Sequence, residues 1–196
     1  MRTLNLCIDI DGTVTDPYYW LECANRHFNT NAKPKDICSY KFSDALKVTQ
    51  EEYDNFYSVY ASEIHGKAKI RLDAKHAITY LAKNHNIHYV TAREKKYADI
   101  TRQWLNKYNL PAHSLTLTGN TDKRQNAKEL NCDIFIEDSL DNALQLSSAG
   151  YEVLLIDCTY NKSVLPSNVI RVYNWYQIAL LAVKKAYGAE PKLKTA

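Results

Sequence analysis

Asp9 and Asp11 stand two residues apart, and Gly12 and Thr13 follow at once. The run Leu4 to Ile10 is apolar apart from Asn5 and Asp9 and reads as a β-strand, so both carboxylates lie on one side of a strand end. Left alone there, they would repel each other and lose hydration, a cost that a cation between them removes. Gly12 permits a sharp turn and lets backbone amides approach an anion. The plain alternative is an acidic turn after a strand, and only the surroundings can decide between the two.

Three other places along the chain bring polar groups to a strand end or a helix start. Val90-Thr91-Ala92-Arg93 offers a hydroxyl and then free amides; Ile136-Glu137-Asp138-Ser139 offers two more acids; Lys123 begins the helix before that second strand. Singly, Thr91 would be a helix N-cap, Lys123 a solvated lysine, and Glu137 and Asp138 a cap for the following helix. Together they fall on one edge of one sheet, in the order that a metal-assisted phosphoryl transfer requires.

The elements that must position these groups can be read from the hydrophobic pattern. From about Ile70 onward, short β-rich runs (Ile87 to Val90, Leu115 to Leu117, Asp133 to Ile136, Val153 to Ile156, Val169 to Val172) alternate with amphipathic helices, the first capped by Asp73 and the last running from Trp175 to Ala186. Alternation of this length predicts right-handed crossovers and a three-layer, Rossmann-like α/β fold with a parallel sheet. Ligands of such sheets bind at the carboxyl ends of the strands. Between Asp16 and Lys69 the pattern is helical only. Asp16-Pro17 reads as an N-cap with proline at the first helical position, and Leu21, Ala24 and Phe28 continue that helix. Thr49 to Glu52 is a capping box, and Tyr53, Phe56, Tyr57 and Tyr60 then fall on one face. The expected organisation is a core of residues 1–15 and 70–187, a small helical cap inserted after the first strand at 16–69, and a flexible tail at 188–196.

Composition narrows the function classes. The 196 residues are 45% hydrophobic and 24% charged with a net charge of +3, which suits a globular protein and gives no footprint for a nucleic-acid polymer. Five cysteines, Cys7, Cys23, Cys38, Cys132 and Cys158, contain no C-x-x-C pair, which predicts buried thiols in a reducing compartment. The N-terminal apolar run is too short and polar for a signal peptide or a membrane span, so the expectation is a cytoplasmic protein without a membrane partner.

With these motifs assembled, the chain resembles the phosphatase branch of the haloacid dehalogenase (HAD) superfamily, and within it the small 5′-nucleotidase and 5′(3′)-deoxyribonucleotidase-like proteins. Asp9-Ile10-Asp11-Gly12-Thr13, Thr91, Lys123 and Glu137-Asp138 match the superfamily motifs in order. The narrower likeness rests on overall similarity, the entry to the insert and Asp157-Cys158-Thr159-Tyr160-Asn161. The resemblance implies that Asp9 is the nucleophile of an aspartyl-phosphate mechanism and Asp11 the acid/base. It implies Mg²⁺ held by the Asp9 carboxylate, the Asp11 main-chain carbonyl and Asp138, with Glu137 or Asp141 supporting through water. Lys123, preferred over Lys128, would neutralise phosphate charge. Thr91, the amides at Ala92 and Arg93, and those near Gly12 and Thr13 would hold the non-bridging oxygens. Many relatives carry Gly-Asp where this chain has Glu137-Asp138, and a further Asp where it has Asn142.

The implied partner is a small phosphate ester, a (deoxy)nucleoside monophosphate by family; oligomeric state is not assigned. Trp20, Tyr40 and Phe42 of the insert could stack on a base or simply form its core, while the Tyr53–Tyr60 stripe reads as core. Arg93 could reach substrate or support its loop. His85 and His88 have a metal-like spacing but no acids nearby, and read as a solvated turn. The competing functions are a HAD phosphatase for another phosphorylated metabolite, a mutase or phosphotransferase, and an idle phospho-ligand sensor; a dehalogenase has no use for Asp11.

Overall fold

The apolar runs fold into six strands of four to six residues: β1 (Asn5–Ile8), β2 (Asn86–Thr91), β3 (Ser114–Leu117), β4 (Ile134–Glu137), β5 (Val153–Ile156) and β6 (Val169–Val172). The computed structural model describes residues 1–188. All strand pairs are parallel, in the order β3-β2-β1-β4-β5-β6. Leu6, Cys7 and Ile8 are fully buried, as a central strand covered on both faces must be.

Alternate residues of β1 supply two different cores. Leu6 and Ile8 face a cluster with Ile78, Trp104, Leu105, Trp175 and Ile178, from α4 (Ala74–Leu81), α5 (Ala98–Lys107) and α8 (Trp175–Ala186). Cys7 faces Ala127, Ala143 and Leu146, from α6 (Arg124–Glu129) and α7 (Leu140–Ser148). Each large aliphatic side chain removed from water in this way contributes about 1.5–3 kcal/mol. The Trp175 indole also donates to the Thr13 carbonyl at 3.1 Å, which ties the loop after β1 to α8.

The insert carries α1 (Leu21–Phe28), a 3₁₀ turn (Pro34–Asp36), α2 (Phe42–Leu46) and α3 (Gln50–Lys67) around its own cluster of Trp20, Leu21, Ile37, Leu46 and Phe56. It leaves and re-enters the core side by side: Thr15 and Ile70 form an antiparallel bridge, flanked by Asp16 N–H to Lys69 O at 2.7 Å and Arg71 N–H to Val14 O at 2.8 Å. Thr49 and Glu52 make the expected reciprocal cap of α3.

Several local expectations are corrected. α1 begins at Leu21 rather than Pro17, because the Asp16 carboxylate accepts the Tyr18 N–H at 2.8 Å and closes a turn instead of capping a helix. Asp73 takes a left-handed φ of 64° and makes no side-chain cap; its carboxylate accepts from the Tyr176 hydroxyl at 3.2 Å. Neither Glu137 nor Asp138 caps α7, since Ser139 does so. His85 is only 3% exposed and its Nδ1 accepts the Leu4 N–H, while His88 lies within β2 and pairs with Ser114, so neither belongs to a solvated turn. All five cysteines are free, but Cys7 and Cys158 alone are buried. No helix among the described residues is long and apolar enough to cross a membrane. The expected tail lies, beyond Gly188, outside the described residues.

Candidate active site

The strand order reverses at β1, with β2 on one side and β4 on the other, so their carboxyl ends open a crevice at the centre of the sheet. Ile8 lies opposite Ile136 and the Asp9 N–H donates to the Ile136 carbonyl at 3.0 Å, which brings Asp9 beside Glu137 and Asp138. One oxygen from each of these three acids falls within 4.8 Å of the others. Lys123 reaches into the same place. It is 1% exposed, against the usual fate of lysine, and its Nζ lies 2.5 Å from Asp9 Oδ1 and 2.6 Å from Glu137 Oε1. Lys128 is exposed.

Glu137 is fully engaged. Its Oε1 also accepts from Asn142 Nδ2 at 3.1 Å, and its Oε2 accepts the Asp138 and Ser139 amides at 3.2 Å each. It therefore holds Lys123, leaving Asp9 and Asp138 as the acids with free lone pairs. Asp141, the other candidate support, is exposed.

Three buried acids share one lysine. Burial pushes the Asp9 carboxyl well above its ordinary range against the pull of Lys123, and repulsion from Glu137 and Asp138 adds to this. Burial and then Glu137 push Asp138 up to about 7, although the Tyr160 hydrogen bond opposes them. An all-oxygen donor set with an excess of buried negative charge fits a hard divalent cation.

Asp138 is held from several sides. Thr13 Oγ1 donates to its Oδ1 at 3.2 Å, Tyr160 Oη donates to its Oδ2 at 2.5 Å, and Asn161 Nδ2 donates both to its carbonyl and to that of Ile156 at 2.8 Å. Gly12, at φ +82°, presses so close that a β-carbon would lie 2.2 Å from Asp138 Oδ2.

The Asp11 carboxylate is directed elsewhere and is not part of the acid cluster. Arg93 grips it with two nitrogens, the Tyr19 hydroxyl donates to Oδ1 at 2.7 Å, and His65 Nδ1 lies 3.7 Å away. Burial works against its charge, but Arg93 and His65 overcome that and hold the carboxyl well below the usual range. Thr91 is the last residue of β2, not a helix N-cap; its hydroxyl accepts the Arg93 amide at 3.3 Å and approaches Asp11 Oδ2 at 3.4 Å. The sequence leaves Arg93 either to reach substrate or to support its loop; its guanidinium is held on Asp11, with Nη1 donating to Thr101 Oγ1 at 3.0 Å as well, while the residue also lines the cavity between core and insert.

A cavity of about 510 Å³ opens between this edge of the core and the insert, lined by Asp11, Gly12, Ala92, Arg93 and Asp138 below and by Trp20, Tyr40 and Phe42 above. Trp20 is 5% exposed, donates to the Pro17 carbonyl at 3.1 Å and packs on Phe42 at 4.6 Å between centroids, so it is mainly insert core with an edge on the cavity. Tyr40 is 47% exposed. The sequence reading missed Tyr19, His65 and the hydroxyl role of Tyr160. His65 lies eight residues beyond Tyr57 on α3 and could have been added to that stripe; Tyr57 Oη pairs with its Nε2 at 2.9 Å.

Comparisons with known proteins show the family and the fold. Residues 2–187 match the model of the family described as 5′ nucleotidase, deoxy (Pyrimidine), cytosolic type C protein. A nucleotidase of Clostridium acetobutylicum is 47% identical over 178 residues, covering 91% of this chain and 93% of that protein. The Bacillus subtilis protein YqfW is 34% identical over 175 residues, covering 89% and 91%. Among solved structures, a haloacid dehalogenase-like hydrolase of Streptococcus pneumoniae aligns with a TM-score of 0.68 at 12% identity, covering 92% of this chain and 98% of that one. The magnesium-bound YfnB of Bacillus subtilis aligns at 0.62 and 14% identity, covering 94% and 100%. At such identities these structures establish the HAD-like fold and no more.

Proposed function

Because this chain belongs to the 5′ nucleotidase, deoxy (Pyrimidine), cytosolic type C protein family, we propose that it hydrolyses (deoxy)nucleoside 5′-monophosphates through an aspartyl-phosphate on Asp9. The family and its nucleotidase relatives make it a phosphoric monoester hydrolase of the HAD superfamily. The observation that supports the particular mechanism is the meeting of Asp9, Lys123 and Glu137 with Asp138, which itself lines a cavity roofed by aromatic rings.

Asp9 attacks phosphorus, the P–O bond to the ester oxygen breaks, and the leaving alkoxide takes a proton from Asp11. Water then attacks the aspartyl-phosphate, gives its proton to Asp11 and releases phosphate with Asp9 restored. Asp11 is ionised while Arg93 holds it, ready for this second step, and that pairing must loosen for the first. Lys123, anchored by Glu137, stays beside Asp9 and offsets the repulsion between carboxylate and phosphate. Thr91 and the amides of Ala92 and Thr13 hold the phosphoryl oxygens, the Gly12 amide being given to Thr15 Oγ1 at 2.8 Å. Mg²⁺ held by Asp9, Asp138 and the Asp11 carbonyl would supply further charge neutralisation and orient the ester. Residues 16–69 act as the cap, and Trp20, Tyr40 and Phe42 offer faces for a base.

The test is hydrolysis of an aryl phosphate and of a nucleoside monophosphate panel with Mg²⁺, with chelator, and by Asp9→Asn. Turnover that needs Mg²⁺, vanishes in Asp9→Asn and favours nucleotides is expected. Full activity in chelator or in Asp9→Asn would overturn the mechanism, and indifference to nucleotides the substrate class.

A further inference from the structure

Tyr160 is buried at the meeting of core and insert, on the loop after β5, where it touches both the acid cluster and the cap. Its hydroxyl donates to Asp138 Oδ2 at 2.5 Å, in the range of a strong charge-assisted bond. Its ring stands edge-on to Tyr18, Tyr40 and Phe42 of the insert, with centroids 6.2, 5.4 and 5.8 Å away. The backbone beneath is fixed too, because Asn161 Nδ2 bridges the Asp138 and Ile156 carbonyls and its Oδ1 accepts the Cys158 N–H at 3.1 Å. Gly12 permits the close approach of this pair, since a β-carbon there would stand 2.7 Å from the Tyr160 hydroxyl.

We propose that Tyr160 is a positioning residue that fixes the Asp138 carboxylate for a divalent cation and makes that fixation depend on the aromatic packing of the insert. The inference rests on the reading of Asp138 as a metal-holding group. With Thr13 on one oxygen and Tyr160 on the other, each keeps a lone pair free, and the carboxylate cannot rotate without losing a bond. Groups in this position orient a ligand before the ion arrives, and their loss weakens metal binding by about 10–100-fold. The neighbouring donors are engaged elsewhere: Thr13 on the other carboxylate oxygen, Lys123 on Asp9 and Glu137, and Arg71 on the Gly12 carbonyl and Cys158.

The experiment measures Mg²⁺ binding without substrate, by isothermal titration and by the rise of the melting temperature with Mg²⁺, in wild type, Tyr160→Phe, Asp138→Asn and the double variant. Tyr160→Phe keeps the ring and so the contacts to Tyr40 and Phe42, and its metal-free melting curve reports that the fold is intact. The expected result is a 10–100-fold weaker Mg²⁺ affinity in Tyr160→Phe, and no further loss from Tyr160→Phe once Asp138 is Asn. Unchanged or tighter binding by Tyr160→Phe, with wild-type binding abolished in Asp138→Asn, overturns the role of Tyr160 and leaves the metal reading standing. Absence of Mg²⁺ binding by the wild type overturns both.

Discussion

Arg93 holds Asp11 by two nitrogens at once, Nε to Oδ2 at 2.8 Å and Nη2 to Oδ1 at 2.6 Å, from a position almost wholly buried. A planar fork matched to a carboxylate is something lysine cannot reproduce. Removing the fork strands a largely buried carboxylate with only hydroxyls and His65 near it. Arg93→Met is therefore expected to lower stability by about 3 kcal/mol, and Arg93→Lys to recover only part of that. Urea unfolding of both variants is the measurement. Midpoints equal to wild type would show that Asp11 does not depend on Arg93.

Lys123 has the same logic with the signs exchanged. Lys123→Met leaves Asp9 and Glu137 facing each other without a cation, at an expected cost of about 3–5 kcal/mol. Turnover should fall by about 10²–10³-fold, the usual loss when one fixed charge near a reacting oxyanion is removed. A divalent cation relieves the same repulsion, so Mg²⁺ should raise the melting temperature of the variant more than that of wild type. Equal shifts in the two proteins would speak against a shared electrostatic site.

At Gly12 the constraint is steric. A β-carbon would stand 2.2 Å from Asp138 Oδ2 on a backbone with φ of +82°, so Gly12→Ala must either move Asp138 or leave the left-handed region. The backbone part alone costs about 1–2 kcal/mol, and displacing Asp138 should weaken Mg²⁺ binding as well. Denaturation and Mg²⁺ titration of Gly12→Ala check both. Normal Mg²⁺ binding would mean that Asp138 needs no such close fit.

The positions of these residues were legible in the sequence because they follow from periodicity. An apolar run ending in Asp9 must be a central strand, and the acids after Ile136 must come to the same edge if the connections are right-handed. The partners of those residues were not legible. That Arg93 grips Asp11 could not be read from the sequence, since a phosphate is anionic too and the contacts that orient the pair, Thr101 on Arg93 and Tyr19 on Asp11, come from other elements. Asp16-Pro17 has the residues of a helix start, yet the Asp16 carboxylate closes a turn on the Tyr18 N–H, while the Asp16 amide ties the stem of the insert to Lys69, 53 positions away. The partner of His85 is equally remote: its Nδ1 accepts from Leu4, 81 positions away.

That last contact carries a pH dependence remote from the acid cluster. His85 Nδ1 accepts the Leu4 N–H at 3.3 Å, which requires an unprotonated nitrogen, and burial lowers the pKa of the imidazole from its ordinary 6.5. His88 is lowered likewise, by burial and then by His113. The folded chain thus prefers both rings neutral, while the unfolded chain takes up protons near their ordinary pKa. Below that value the unfolded state binds more protons on these two rings, so the stability they contribute is held at neutral pH and is lost as pH falls, by at most about 1.4 kcal/mol per pH unit for each histidine. Asp9 and Asp138, whose carboxyls burial raises, take up protons in the fold over the same range and act the other way, so the measurement is a difference: between about pH 7 and pH 5 the urea midpoint of wild type should fall relative to that of His85→Gln, whose amide oxygen can still accept from Leu4 but takes up no proton. If His85→Gln lost stability with the same slope as wild type, the imidazole would be charged in the fold, and the Leu4 contact would have to be a different one.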